Sequence, residues 1–203
     1  MARGRPRKIK PEVALDKAMN LFWEKGYDGT SMNDLVVATG MAKPGLYAAF
    51  GDKEQFYFKA LAHYFEGGGQ KVFADLKNSE LPISEALSQF FDSVMNSSQL
   101  VQGPKGCMLI NTLVECAHKH VVLDGLAQSI NEKRTQAVAA CFARARDKGE
   151  IATDADLTAL TDFFSGQALA IGVMGRSRAS AQSIQHLVDV AMSILPLSAN
   201  LND

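Results

Sequence analysis

The sequence predicts an all-α protein with a basic arm (residues 1–10), a head of short helices (11–60) and a larger helical body (61–203). Three observations carry that expectation. Strand-like alternation is scarce, while apolar residues recur three and four apart along nearly the whole chain, the period of a helix. Gly, Asp, Ser and Thr stand where such helices would start and stop. The run from Phe163 to Gly175 is apolar almost all round, which a helix tolerates only when two sides are covered. A chain of 203 residues is long enough to bury a core without staples, and its 47% hydrophobic and 21% charged content excludes wholesale disorder.

The elements follow in order. A first helix begins near Pro11, a residue tolerated in a first turn, with Leu15, Ala18, Met19 and Phe22 as its inward stripe and Gly26 as a left-handed stop. A second opens at Thr30-Ser31, where Ser31 and Asp34 fit a capping box and Met32, Leu35 and Val36 face inward; Gly40 ends it. A third, about 42–50, offers Leu46 and Phe50 to the core. Asp52 caps a fourth, with Gln55 at the reciprocal position and Phe56, Ala60 and Tyr64 inward. Gly67-Gly68-Gly69 reads as a bend where that helix breaks. Further helices are expected at about 70–78, 83–98, 106–119, 123–148, 155–176 and 181–195, with a loop over 99–106. The last two are the expected homodimer surface. Ile184, Leu187, Val188, Ala191, Met192 and Leu195 make one apolar face, and Gly166, Ala168, Ala170, Gly172 and Gly175 would let a second subunit approach closely.

Composition narrows the setting. Three cysteines are too few for a disulfide scaffold and suit a reducing compartment. The basic N-terminus runs into Pro11-Glu12 with no apolar stretch behind it, so it does not read as a signal peptide, and 163–175 is too short and interrupted for a bilayer span. The expectation is a cytoplasmic protein with no membrane partner. Charge is uneven: residues 1–60 hold ten Lys/Arg against seven Asp/Glu, residues 61–203 eleven against fifteen. A basic head on an acidic body points to a polyanion met by the head alone.

Residues 28–50, DGTSMNDLVVATGMAKPGLYAAF, fit a helix-turn-helix, two short helices joined by Thr39-Gly40-Met41. With Leu46 and Phe50 docked, Lys43, Pro44, Gly45, Tyr47 and Ala48 are left to face the major groove. Gly45 and Ala48 are small enough to let the helix sit deep, Tyr47 has a hydroxyl for a phosphate, and Lys43 a cation for a base edge or phosphate. Helix N-termini at Lys53 and at Thr30-Ser31 supply further phosphate contacts.

Thr30-Ser31, Ala38-Thr39-Gly40, Leu46-Tyr47, Phe50 and Lys53, at this one spacing over about residues 11–60, resemble the DNA-binding domain of the tetracycline-repressor (TetR) family. The resemblance implies a dimeric transcription regulator, usually a repressor. Its variable C-terminal helical domain would bind a small effector and release a pseudo-palindromic operator in double-stranded DNA. Two positions depart from the pattern. Ala42 stands where a capping Ser or Thr is usual, and Pro44-Gly45 replaces larger contact residues. Ahead of the head, Arg3-Gly4-Arg5-Pro6-Arg7 resembles an AT-hook core, so Arg3, Arg5 and Arg7 are expected in an A·T minor groove.

In the body, Cys107 follows Gly103-Pro104-Lys105-Gly106 at an expected helix start, where partial positive charge favours thiolate. Cys107, Met108 and Asn111 lie in a segment similar to one in a subset of TetR relatives, some of which respond to electrophiles through this cysteine. Phe164, with Phe73, Phe90, Phe91, Phe142, Phe163, Met95 and Met108, is a candidate for an effector pocket or simply core. Cys116 and Cys141 fall on apolar stripes. Cys116, His118 and His120 would converge on at most two ligands if helical, so no metal is expected, and no cofactor. No nucleophile elbow, phosphate loop or His paired with a carboxylate at metalloenzyme spacing is present in the sequence, so an enzyme is not expected. Two alternatives stand beside an effector-released repressor: a thiol-switched repressor acting through Cys107, and a non-specific A·T-rich DNA binder relying on the arm.

Overall fold

A computed structural model describes residues 9–99 and 103–198. The arm residues Arg3, Arg5 and Arg7 lie outside the described residues. Within them the chain is helical: α1 Pro11–Lys25, α2 Met32–Thr39, α3 Lys43–Phe50, α4 Lys53–Tyr64, α5 Gln70–Lys77, α6 Ile83–Ser98, α7 Met108–Glu115, α8 Val121–Asp147, α9 Leu157–Arg176 and α10 Ala181–Ser193. One isolated antiparallel bridge, Ile151 to Leu197, ties the tail back after α10.

Both capping boxes form. The Ser31 hydroxyl accepts from the Asp34 N–H while the Asp34 carboxylate accepts from the Ser31 N–H, and Asp52 and Gln55 repeat the arrangement. The Ser31 bonds and Lys25 hold the Asp34 carboxyl well below the usual carboxylate range. In α1 the fully buried positions are Ala14, Ala18 and Phe22, with Trp23 beside them; Leu15 and Met19 are only half-buried. Gly26 does take a positive φ of 79°, but with ψ 178° rather than a left-handed helical value. It is Gly40 (φ 75°, ψ 7°) that ends its helix in the left-handed conformation.

Two apolar cores result. The body core joins α5, α6, α9, α10 and the C-terminal half of α8 around Phe91, Phe142 and Phe164. The head core is built on Phe22, Leu35, Leu46, Phe50, Phe56 and Tyr57, and extends past residue 60 to Met108, Leu109, Cys116, Leu123, Ala127 and Ile130. Head and body are therefore welded through α7 and the first half of α8.

Three expectations are corrected. Gly67-Gly68-Gly69 does not break the helix: Phe65–Gly69 is a π-helical turn, and Phe65, Gly69 and Gln70 all keep right-handed helical angles, so α4 runs on into α5. A wider turn absorbs the extra residue, and no neighbour lies near the absent Cβ of Gly67 or Gly68. The helix expected over 106–119 ends at Glu115, because His118 takes φ 61° and turns the chain; Cys116, His118 and His120 thus lie in a turn, not on one helix. Ala168, Gly172 and Gly175 of α9 serve the chain's own packing. A Cβ on Gly172 would stand 2.3 Å from Ile110 Cδ1, and one on Gly175 2.8 Å from the Ser98 carbonyl. On α10, Ile184, Val188 and Ala191 are buried in the body core. What remains outside is narrower: Phe163, Gly166, Ala170 and Val173 (52% exposed) on α9, with Val190 and Ile194 near the end of α10. At 20 residues and a mean hydropathy of 1.3, α9 does have the length and composition of a span; its inner face packs on α6 and α8.

Candidate functional site

The recognition helix α3 is held by two residues. Leu46 and Phe50 are buried, and Phe50 stacks flat on Phe56 (centroids 4.1 Å apart), which meets Phe22 edge-on at 5.8 Å. The turn before it is fixed from within: the Thr39 hydroxyl donates to the Leu35 carbonyl (2.6 Å) and accepts from the Met41 N–H. Lys43, Pro44, Tyr47 and Ala48 are exposed and Gly45 is half-exposed, one solvent-facing surface as the spacing requires. Ala42 gives α3 no side-chain cap. Ile9, at the root of the arm, packs on the turn before α3, its Cδ1 3.0 Å from where a Cβ on Gly40 would be.

Two expected phosphate contacts are engaged internally. Thr30 is buried, its hydroxyl donating to the Gly26 carbonyl (2.7 Å). Lys53 donates to the Tyr27 carbonyl (3.0 Å) and lies 4.1 Å from that ring's centre, so its charge braces the turn between α1 and α2. Ser31 stays exposed, its hydroxyl committed to Asp34.

Between the two cores lies a cavity of about 420 Å³, within the range of small-molecule pockets. Its walls come from α1, the end of α4, the π-turn, and α5 to α9. Of the four residues singled out in the body, Cys107 alone lines it. Met108 is fully buried in the head core, Asn111 donates to the Trp23 carbonyl (3.2 Å), and Phe164 packs against Phe91 and Phe142 away from the cavity. Phe73, by contrast, does line it.

Cys107 precedes the first turn of α7 and accepts the Tyr64 hydroxyl at its Sγ (3.4 Å); it is the only half-exposed cysteine of the three. Burial pushes the Cys116 thiol up to about 12 and raises Cys141, so both are inert near neutral pH. The residue that sequence reasoning missed is Arg134. It stands on the inward stripe of α8 between Ile130 and Val138, 5% exposed. An arginine interrupting an apolar i, i+4 series was the available signal. Its side chain donates to Asn131, its Nε has no partner among the described residues, and burial lowers the guanidinium to about 10, still charged at neutral pH.

From the cavity, α7 leads to the head. Cys107 is at its start, Asn111 and Thr112 hold Trp23 and Tyr57, and at its end the Glu115 carboxylate accepts the N–H groups of Tyr27 (2.9 Å) and Asp28 (2.7 Å). Arg176, closing α9, donates to the Glu24 carbonyl (2.8 Å). Among the described residues no group of three or more His, Cys, Asp or Glu could hold a metal ion.

Residues 14–60 match the model for bacterial regulatory proteins of the tetR family, and residues 84–191 the model for tetracyclin repressor-like C-terminal domains. The chain is 29% identical over 195 residues to the HTH-type transcriptional repressor ComR of Escherichia coli strain K12, covering 96% of this chain and 93% of ComR. It is 25% identical over 191 residues to the repressor DhaR of Mycobacterium sp. strain GP1, covering 93% and 94%. A cysteine mutant of the TetR family transcriptional regulator CifR, complexed with 26-bp double-strand operator DNA, superposes with a TM-score of 0.84. The two are 26% identical, with 95% of this chain and 100% of that one covered.

Proposed function

The chain belongs to the TetR family of DNA-binding, non-enzymatic transcriptional regulators, and from that premise we propose that it is a homodimeric, cytoplasmic repressor released from its operator by a small molecule bound in the cavity. The observation that carries this is the path from the cavity to the helix-turn-helix head: α7 begins at the cavity wall and ends on the Tyr27–Asp28 turn that Lys53 also grips. A ligand that prefers one arrangement of α7 would prefer one placement of the head, and operator release follows from that difference in affinity. The exposed apolar strip of α9 and α10 supports pairing about a two-fold axis, which sets two α3 helices about one DNA turn apart. Ile9 packs beside Gly40 in the turn before α3, which supports a role for the arm ahead of it in adding minor-groove contacts through Arg3, Arg5 and Arg7 and much of the salt-dependent affinity.

Selection of binding sites from a random duplex pool tests this reading. A two-fold-symmetric site with half-sites about 10 bp apart is expected. Enrichment of A·T-rich sequence without symmetry would leave binding to the arm. On the selected site, Tyr47→Ala, removing a 45% exposed ring and its hydroxyl from α3, should weaken binding by about ten- to hundredfold, one or two contacts' worth, and leave the melting temperature unchanged. Equal affinity would take Tyr47 off the interface.

The half-exposed thiol of Cys107 beside the Tyr64 hydroxyl supports a second route to release, covalent capture of an electrophile by the Cys107 sulfur. Cys107→Ser would then lose release by N-ethylmaleimide while binding the operator as before; undiminished release by the reagent would discard that route.

A further inference from the structure

The cavity has a chemistry of its own. Its walls are mostly apolar, from Met19, Leu109 and Ile130 among others, yet they carry two buried nitrogen donors without an acceptor among the described residues, Arg134 Nε and Trp23 Nε1. No carboxylate pairs with Arg134 among the described residues. The one wall carboxylate, Asp16, is 59% exposed at its side chain and turned to His63 at 2.6 Å. A buried guanidinium without an anion is costly, and replacing it by an apolar side chain is often neutral or stabilising, so the chain's own packing gives no reason for it.

We propose that the cavity is a site for a small organic acid, its carboxylate held by Arg134 and its aliphatic or aromatic body against the apolar walls. This rests on the reading of the cavity as the effector site and names the class of effector. Arg134 suits the role because a guanidinium presents paired donors to a carboxylate, which an amide or alcohol of the same shape cannot match. The apolar body supplies most of the buried area and the carboxylate the selectivity.

The test uses the full chain with hexanoate, decanoate, phenylacetate and 4-phenylbutyrate, each paired with its primary amide. At least one acid should raise the melting temperature, with its amide binding at least about tenfold more weakly. Arg134→Met should abolish the response to the acid while its own melting temperature holds or rises by about 2–4 °C. Amides that bind as well as the acids, or no acid that binds at all, would overturn the proposal. So would an Arg134→Met chain that still responds. Should that variant unfold, the acid-against-amide comparison on the unaltered chain decides the matter alone. An acid that binds through Arg134 but leaves operator affinity untouched upholds the ligand class and refutes the effector reading.

Discussion

Phe50→Ala is expected to abolish operator binding and to destabilise the head by about 3–5 kcal/mol, the usual cost of emptying a buried aromatic site. The reason lies in how little else holds α3. An eight-residue helix has no stability of its own in water, and this one lacks a side-chain cap, so its position depends on packing. Leu46 fixes its middle; Phe50 fixes its end by stacking on Phe56, which leads through Phe22 to Tyr57. Without the ring, the surface formed by Lys43, Tyr47 and Ala48 no longer has a defined orientation, and contacts to several bases are lost together. For a chain of this size the loss corresponds to a fall in melting temperature of roughly 6–20 °C. The outcome separates from that of Tyr47→Ala: there affinity falls and stability stays, here both fall. Operator titration beside thermal melting reads both. A Phe50→Ala chain that binds within tenfold of the parent would mean that Leu46 and the Thr39–Met41 turn suffice to dock the helix.

How much of this was legible in the sequence depends on how local the cause is. The capping boxes at Ser31 and Asp52 and the span of α6 are decided by residues three or four apart, and the sequence displays them directly. The exposed face of α3 was legible for the same reason, since Leu46 and Phe50 leave little choice about which way an eight-residue helix faces. The internal bonds of Thr30 and Lys53 were not legible, because the groups they bond, the Gly26 and Tyr27 carbonyls, become neighbours only once the turn closes. Three consecutive glycines look like a break, yet glycine permits a π-turn equally well, and the surrounding helix decides between them. Gly172 and Gly175 announced a close approach but not its partners, which are Cys107 and Ile110 for the first and Ser98 and Gly106 for the second, all of the same chain. The cavity was the least legible part. It is enclosed by segments far apart in sequence, and its lining faces, unlike a motif, share no spacing.

Glu115→Ala is expected to uncouple the cavity from the head. The Glu115 carboxylate accepts two N–H groups of the Tyr27–Asp28 turn, and bonds to a charged acceptor contribute about 1.5–3 kcal/mol each where shielded from water. Partial exposure of the Asp28 bond lowers the sum to about 2–4 kcal/mol. Loss of both leaves the buried Tyr27 N–H without an acceptor and frees the end of α7 from the head, although Asn111 and Arg176 still hold Trp23 and Glu24. Operator affinity should therefore fall only modestly, by about tenfold, because α3 keeps its own packing. The ratio of operator affinities with and without effector should collapse toward one, since that ratio measures the coupling free energy and α7 is the element that carries it. Glu115→Gln makes the finer distinction. Its carbonyl oxygen can accept one of the two N–H groups while its amide nitrogen faces the other, so a coupling between parent and alanine variant is expected. Amide exchange over residues 24–30 should quicken in the same order. An alanine variant whose affinity ratio matches the parent's would show that Arg176 and α9, not α7, transmit the ligand's presence. The release mechanism would then have to be rebuilt around the close contact of Gly172 with Cys107 and Ile110.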